Sequence, residues 1–280
     1  MKLLFACPLF LAIAAAPLLA RQENPAAKAA PWPQDKVNAA LVQARKDTAE
    51  KQFQDSETLM LQVTQANPQL VLPWVELGMA QMGLKKYPDA EDSFKMALGM
   101  KTNAQNGGND AFYASADAKS PEAGAETASR SAVGGQVSNG DKRTPEILGP
   151  TYASLGEVYA HENKVPQAKA AFDEAVKALP AQAAQYRGNE TIVFFETSHP
   201  NAQLAAAKEA IPLNPGRAQL YYFEGQALVA KSTIDPKTQK LILPPGCADA
   251  YQKYLKMEPN GQFSADVRGV LTAAGVPPGK

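Results

Sequence analysis

Residues 149–182 read GPTYASLGEVYAHENKVPQAKAAFDEAVKALPAQ, and this stretch decides the fold. Tyr152, Leu155 and Tyr159 fall three and four residues apart, the spacing of one helix face. Ala168, Phe172 and Ala175 repeat that spacing on a second segment. Residues 161–165 between them are polar and turn-like, and Pro180 ends the second segment because proline cannot continue a helix. The stretch is therefore expected to form two antiparallel helices. Gly156 and Ala168 are small where the helices must approach closely, while Phe172 and Tyr159 fill the remaining space. One apolar side is left over, and a neighbouring hairpin must bury it, so such pairs stack.

A second copy lies upstream. Trp74, Leu77, Gly78, Ala90, Phe94 and Ala97 have the same internal spacings (3, 1, 12, 4 and 3) as Tyr152, Leu155, Gly156, Ala168, Phe172 and Ala175. Trp74-x-x-Leu77-Gly78 followed by Ala90-x-x-x-Phe94-x-x-Ala97 resembles the tetratricopeptide repeat, a unit of about 34 residues. Residues 149–182 match that pattern throughout. Residues 71–104 depart from it at Gln81, where a large apolar residue is usual, and at Thr102, where proline is usual. Weaker copies flank these two. Residues 37–70 fit with Ala44, Ser56, Met60, Val63 and Pro68, but carry Asp47 where an aromatic is expected. Residues 184–217 fit with Ala207, Ala210 and Pro215, but carry Glu190 and Thr191 in place of Leu and Gly. A fifth unit starts at Ala218, with Tyr221, Gly225 and Leu228, and resumes after an insertion with Ala250, Tyr254 and Met257.

The resemblance implies an all-α chain, a superhelix of antiparallel helix hairpins carrying two insertions. Residues 1–20 read as a secretory signal peptide: Lys2, an almost wholly apolar run over 3–19, then small residues up to Ala20. Residues 21–34 are rich in Ala and Pro and read as a flexible lead-in. Repeats 1–2 are expected over 35–101 and repeats 3–5 over 147–260. Residues 102–146 are rich in Ala, Ser, Gly and Asn with few large apolar residues, and are expected to be a disordered insertion. Residues 232–246, with a turn at Asp235-Pro236-Lys237-Thr238, read as a short β-hairpin insertion. Residues 261–280 read as a capping helix and tail.

Equal numbers of basic and acidic residues, 28 each, give no polyanion-binding surface, so nucleic acid is not an expected partner. Cleavage after Ala20 would remove Cys7 and leave Cys247, which reads as a small apolar residue at a helix start and cannot form an internal disulfide. His161 and His199 sit in expected inter-helix turns without a second His or a Cys at metal-ligand spacing. Glu91-Asp92 and Asp173-Glu174 read as solvated helix faces. Catalytic, cofactor and metal sites are therefore not expected, and the chain is not expected to be an enzyme. An enzymatic reading would need a site built by the insertions, and neither insertion carries a His or a Cys.

In the resembled family, first-helix residues line the concave face. The resemblance therefore implies a groove lined by Leu72, Val75, Met79, Glu157, His161, Gln219, Tyr222 and Gln226. That set is apolar and aromatic with few charges, and suits another protein or an apolar or amphipathic peptide segment. The same side chains could also pack against the next repeat. The signal peptide places the expected scaffold in the periplasm or outside a bacterial cell, with no stable membrane insertion after cleavage. An outer-membrane complex assembly factor would use the same groove. Neither the partner nor the oligomeric state follows from the residues.

Overall fold

The computed structural model describes residues 30–100 and 142–278. The expected signal segment and most of the 102–146 insertion lie outside the described residues. Among these residues there are eleven α-helices and one two-stranded sheet. The first four hairpins pair α1 (Gln34–Ala49) with α2 (Phe53–Ala66), α3 (Val71–Gly83) with α4 (Tyr87–Leu98), α5 (Pro145–His161) with α6 (Val165–Ala178), and α7 (Ala183–Glu196) with α8 (Pro200–Leu213). The fifth pairs α9 (Ala218–Val229) with α10 (Cys247–Met257), separated by β1 (Thr233–Ile234) and β2 (Leu241–Ile242). Helix α11 (Ser264–Ala273) packs on α10 at the end of the array. The chain is thus all-α and tetratricopeptide-like, with a small antiparallel sheet.

The first four hairpins close with the same turn. Lys51, Lys85, Asn163 and Ser198 each adopt a left-handed backbone, with φ of 62°, 59°, 61° and 61°. The next residue then donates its N–H to a carbonyl five residues back: Gln52 to Asp47 at 2.7 Å, Lys86 to Gln81 at 2.9 Å, Lys164 to Tyr159 at 2.8 Å and His199 to Phe194 at 2.8 Å. This bond satisfies a carbonyl that the helix end would otherwise leave without a partner.

In the second and third hairpins a glycine meets a ring. A Cβ on Gly78 would lie 2.6 Å from the Phe94 ring, and one on Gly156 would lie 2.9 Å from Phe172. Those distances leave no room for a side chain, which explains glycine at the close approach. The fifth hairpin corrects the expected register. A Cβ on Gly225 would lie 2.5 Å from the ring of Tyr251, and Cys247 Sγ sits 3.5 Å from the Gly225 carbonyl. Cys247, Tyr251, Tyr254 and Pro259 therefore occupy the places of Ala168, Phe172, Ala175 and Pro180. The expected set Ala250, Tyr254 and Met257 is displaced by three residues, close to one helical turn, which preserves the apolar stripe and hides the slip. Cys247 is a buried core residue at its helix start, and burial raises its thiol to about 11.

Two boundaries also shift. Helix α5 starts at Pro145, inside the expected insertion. Residues 31–34 are not a free lead-in: Asn67 accepts from the Trp32 N–H at 3.0 Å and donates to the Trp32 carbonyl at 3.1 Å, and Lys36 sits 3.5 Å from the Trp32 ring centre.

The first helices α1, α3, α5, α7 and α9 pack on one another from repeat to repeat, whereas successive second helices do not pack comparably. The first helices therefore form the inner layer and the second helices the outer one. Three buried clusters run along the array, around Leu41 and Met60, around Phe94, Phe172 and Phe194, and around Tyr251 and Tyr254. The inserted segment interrupts the sequence but not the packing, since α4 packs directly on α5. Gly99 ends α4 with a φ of 72°, and the Arg143 guanidinium, just before α5, donates to the Ala97 carbonyl at 2.8 Å.

Candidate peptide-binding face

The inner layer is built by residues of the first helices that do not face their own second helix. Two contacts show which side chains meet between neighbouring first helices. Arg45 on α1 pairs with Glu76 on α3 at 2.6 Å, and Ser154 on α5 donates to the Met79 sulfur on α3 at 3.6 Å. In the repeat register Arg45 and Met79 hold one position and Glu76 and Ser154 another, so one packing rule serves both junctions.

The expected groove residues are placed unevenly. Leu72, Val75 and Met79 are half-buried; Leu72 packs on the core of the first hairpin, and Val75 and Met79 pack on the Phe94–Phe172 cluster. They join repeats together and still keep part of each side chain open to solvent. Glu157 is half-buried and His161 is exposed, one turn apart on α5. Gln219 is half-buried and accepts from Arg217 Nε at 3.4 Å, and Gln226 donates to the Tyr222 hydroxyl at 3.5 Å.

Tyr222 departs from expectation. It is buried, its ring stacks on Phe263 with centroids 3.9 Å apart and planes 4° apart, and its hydroxyl donates to Asp266 at 3.2 Å. The segment leading into α11 seals it. Burial, and then the Asp266 carboxylate, push its hydroxyl up to about 12. Tyr222 therefore offers no open ring on the inner face. The approach of a capping helix was legible, but the side chain it would cover was not.

Reading the sequence missed Tyr87 and Glu196. Tyr87, the first residue of α4, stacks on His161 with centroids 4.5 Å apart and planes 7° apart. Glu196 ends α7 at the repeat position that His161 holds on α5. Repeat equivalence could have found Glu196, but Tyr87 lies on a second helix and carries no such signal. Burial, and then the Glu157 carboxylate, raise the Tyr87 hydroxyl; burial lowers the His161 imidazole against the opposing influence of Glu196. His199 was expected in a surface turn, but it is half-buried, edge-on to Phe194, with Nε2 3.3 Å from the Ala160 carbonyl.

The inner face is held in place by charges buried behind it. Glu91, expected on a solvated face, is 2% exposed. It accepts from Lys164 at 2.6 Å and from Lys95. Burial alone would raise its pKa, but hydrogen bonds from Lys164 and Lys95 hold it at about 2. Glu162 also faces Lys164, at 3.0 Å, and is raised by burial. Glu190, in the place of a usual Leu, is buried and paired with Arg187 at 2.7 Å; Arg187 also reaches Asp173 at 2.5 Å and Glu209 at 3.1 Å. Buried charge requires such partners.

Repeated hairpins, an inner layer of first helices and buried ties between repeats define a tetratricopeptide-like scaffold. Among solved structures, the chain is similar to YrrB, described as a TPR protein with an unusual peptide-binding site, with a TM-score of 0.47 and 11% identity over 81% of this chain and 88% of that one. It is also similar to a chain of the APC/C hetero-tetramer Cut9-Hcn1, with a TM-score of 0.34 and 12% identity over 79% of this chain and 39% of that one. No protein-family model matches the chain, and no curated protein matches it.

Proposed function

We propose that the chain is a protein- or peptide-binding scaffold of the bacterial envelope or exterior, and that its ligand, an apolar or amphipathic segment, lies along the inner layer of first helices. The observation that carries this reading is the half-buried apolar surface of α3, where Leu72, Val75 and Met79 serve neighbouring cores and still reach solvent. Solenoids of stacked hairpins present such inner faces as extended binding surfaces. The apolar run over 3–19 behind Lys2 supports export. Among the described residues no helix is long and apolar enough to cross a membrane.

The test is affinity capture from an envelope extract by the full chain and by a Met79→Lys, Gln226→Arg variant whose helicity is verified by circular dichroism. A partner retained by the parent and lost by the folded variant supports the reading. A partner retained equally by both overturns it.

A further inference from the structure

We propose that Glu162 and Glu91 form a proton clasp at the junction of the second and third hairpins: in mild acid Glu162 takes a proton from solvent, donates it in a hydrogen bond to Glu91 and draws the two hairpins together. The proposal concerns the array itself and is independent of the peptide-binding reading. The hydrogen-bond inventory of the junction carries it. Lys95 donates to Glu91 Oε1 and Lys164 donates to Glu91 Oε2 at 2.6 Å, so each oxygen of Glu91 holds one ammonium. Glu162 is the surplus anion. Lys164 lies 3.0 Å from its Oε2 yet aims at Glu91, and that buried oxygen takes no hydrogen bond. The two carboxyl groups are within hydrogen-bond reach of each other. As a carboxylate, Glu162 brings like charge to Glu91; as a carboxylic acid it becomes a donor with an acceptor in place. A carboxylate oxygen can accept a second bond, so Glu91 has room for it.

The charged and titratable surroundings favour the proton on Glu162. Helix α4 brings Glu91 and Lys95, and the turn between α5 and α6 brings Lys164. Tyr159 on α5 is raised to about 12 and stays neutral. The neighbouring histidines are engaged elsewhere: His161 stacks on Tyr87, and His199, from the turn between α7 and α8, has Nε2 3.3 Å from the Ala160 carbonyl. Burial raises Glu162 above its ordinary 4.5, and the Glu91 carboxylate adds to this against the pull of Lys164. A carboxyl raised in the folded chain contributes stability that is full below its unfolded value and is lost as the pH rises through the folded one. The junction therefore tightens from neutral pH down towards 4.5, and loosens only at lower pH, where Glu91 loses its charge. Ser154 and Met79 meet between the same two hairpins, so the clasp also steadies the inner face.

Carboxyl-carbon NMR of the full chain tests this, with the Glu162 resonance identified by its loss in Glu162→Gln. Glu162 should titrate above 4.5, and Glu91→Gln should bring it down, since Lys95 and Lys164 then lack their anion. Urea unfolding gives a second readout. Glutamine stands in for the protonated acid, because its amide donates where the acid would. The unfolding constant of Glu162→Gln should be several-fold below the parent's at neutral pH and converge with it near pH 4.5. A Glu162 resonance that titrates at or below 4.5 overturns the proposal. So does a Glu162→Gln chain less stable than the parent at neutral pH, which would make the charged Glu162 a working partner of Lys164.

Discussion

Lys164 donates to Glu91 at 2.6 Å across the boundary between the second and third hairpins, and Lys86 donates to Glu57 at 2.7 Å in the same place one repeat earlier. Each lysine follows the left-handed turn residue, and each glutamate is buried on the second helix of the preceding hairpin. The turn that closes one repeat thus delivers the ammonium that fastens it to the last. At the next boundary the corresponding residues are Lys169 and His199, and the tie passes instead to Arg187 with Asp173, Glu190 and Glu209.

Acid should loosen the junction between the second and third hairpins. Glu91 is held at about 2, below its ordinary 4.5, so its contribution is full above the unfolded value and is lost as the pH falls through about 2. Glu162 is shifted upward and takes its proton first, which leaves Lys164 to Glu91. Thermal unfolding followed by circular dichroism should show stability falling between about pH 4.5 and 2. Glu91→Gln should flatten that fall, and Glu91→Ala should cost about 3 kcal/mol at neutral pH because it leaves Lys95 and Lys164 beside a buried void. A parent chain as stable at pH 3 as at pH 6 would contradict this.

Two glycines should respond with opposite signs. A Cβ at Gly225 would lie 2.5 Å from the buried Tyr251 ring, and Gly225→Ala should destabilise by about 1–3 kcal/mol. Gly269, on α11, has nothing within 4 Å of an added Cβ, so Gly269→Ala should stabilise by about 0.5–1 kcal/mol through helix propensity. Urea unfolding of both variants checks the pair.

The inserted segment should be removable. Helix α4 packs on α5 directly, Arg143 caps the α4 carbonyls and Lys164 reaches Glu91, so described residues outside 102–141 already tie the flanking hairpins together. Replacing residues 102–141 by a short Gly-Ser linker should preserve the helical signal and the unfolding midpoint. Arg143→Ala should cost about 1–2 kcal/mol, the value of a hydrogen bond from a charged donor. A shortened chain that loses cooperative unfolding would show that the insertion supports the array.

The hairpins were legible wherever signature residues meet across them: Gly78 with Phe94 and Gly156 with Phe172 do in space what their spacing implies. The fifth hairpin was misregistered because Cys247 stands where Ala is usual and a shift of three residues keeps the same helix face. Glu91 was hidden because burial of its carboxylate depends on Lys164, delivered from the next hairpin, and no local pattern encodes that meeting; Glu190 pairs with Arg187 three residues earlier on the same helix, a spacing the sequence does carry. The inner face was half legible for a related reason. Position in the repeat placed Met79 and Glu157 on it, but covering Tyr222 depends on Phe263, more than forty residues away, and placing Tyr87 against His161 requires two hairpins to stack.

The central claim, that a partner lies along the inner layer of first helices, is tested most directly by a photo-crosslinking amino acid placed singly at Met79 or Gln226 on that layer and at Lys177 on the outer helix α6. The full chain is expressed in its host and irradiated. The inner positions should yield a discrete adduct with one partner and Lys177 none. Adducts from Lys177 with none from Met79 or Gln226 would move binding to the outer face and contradict the assignment.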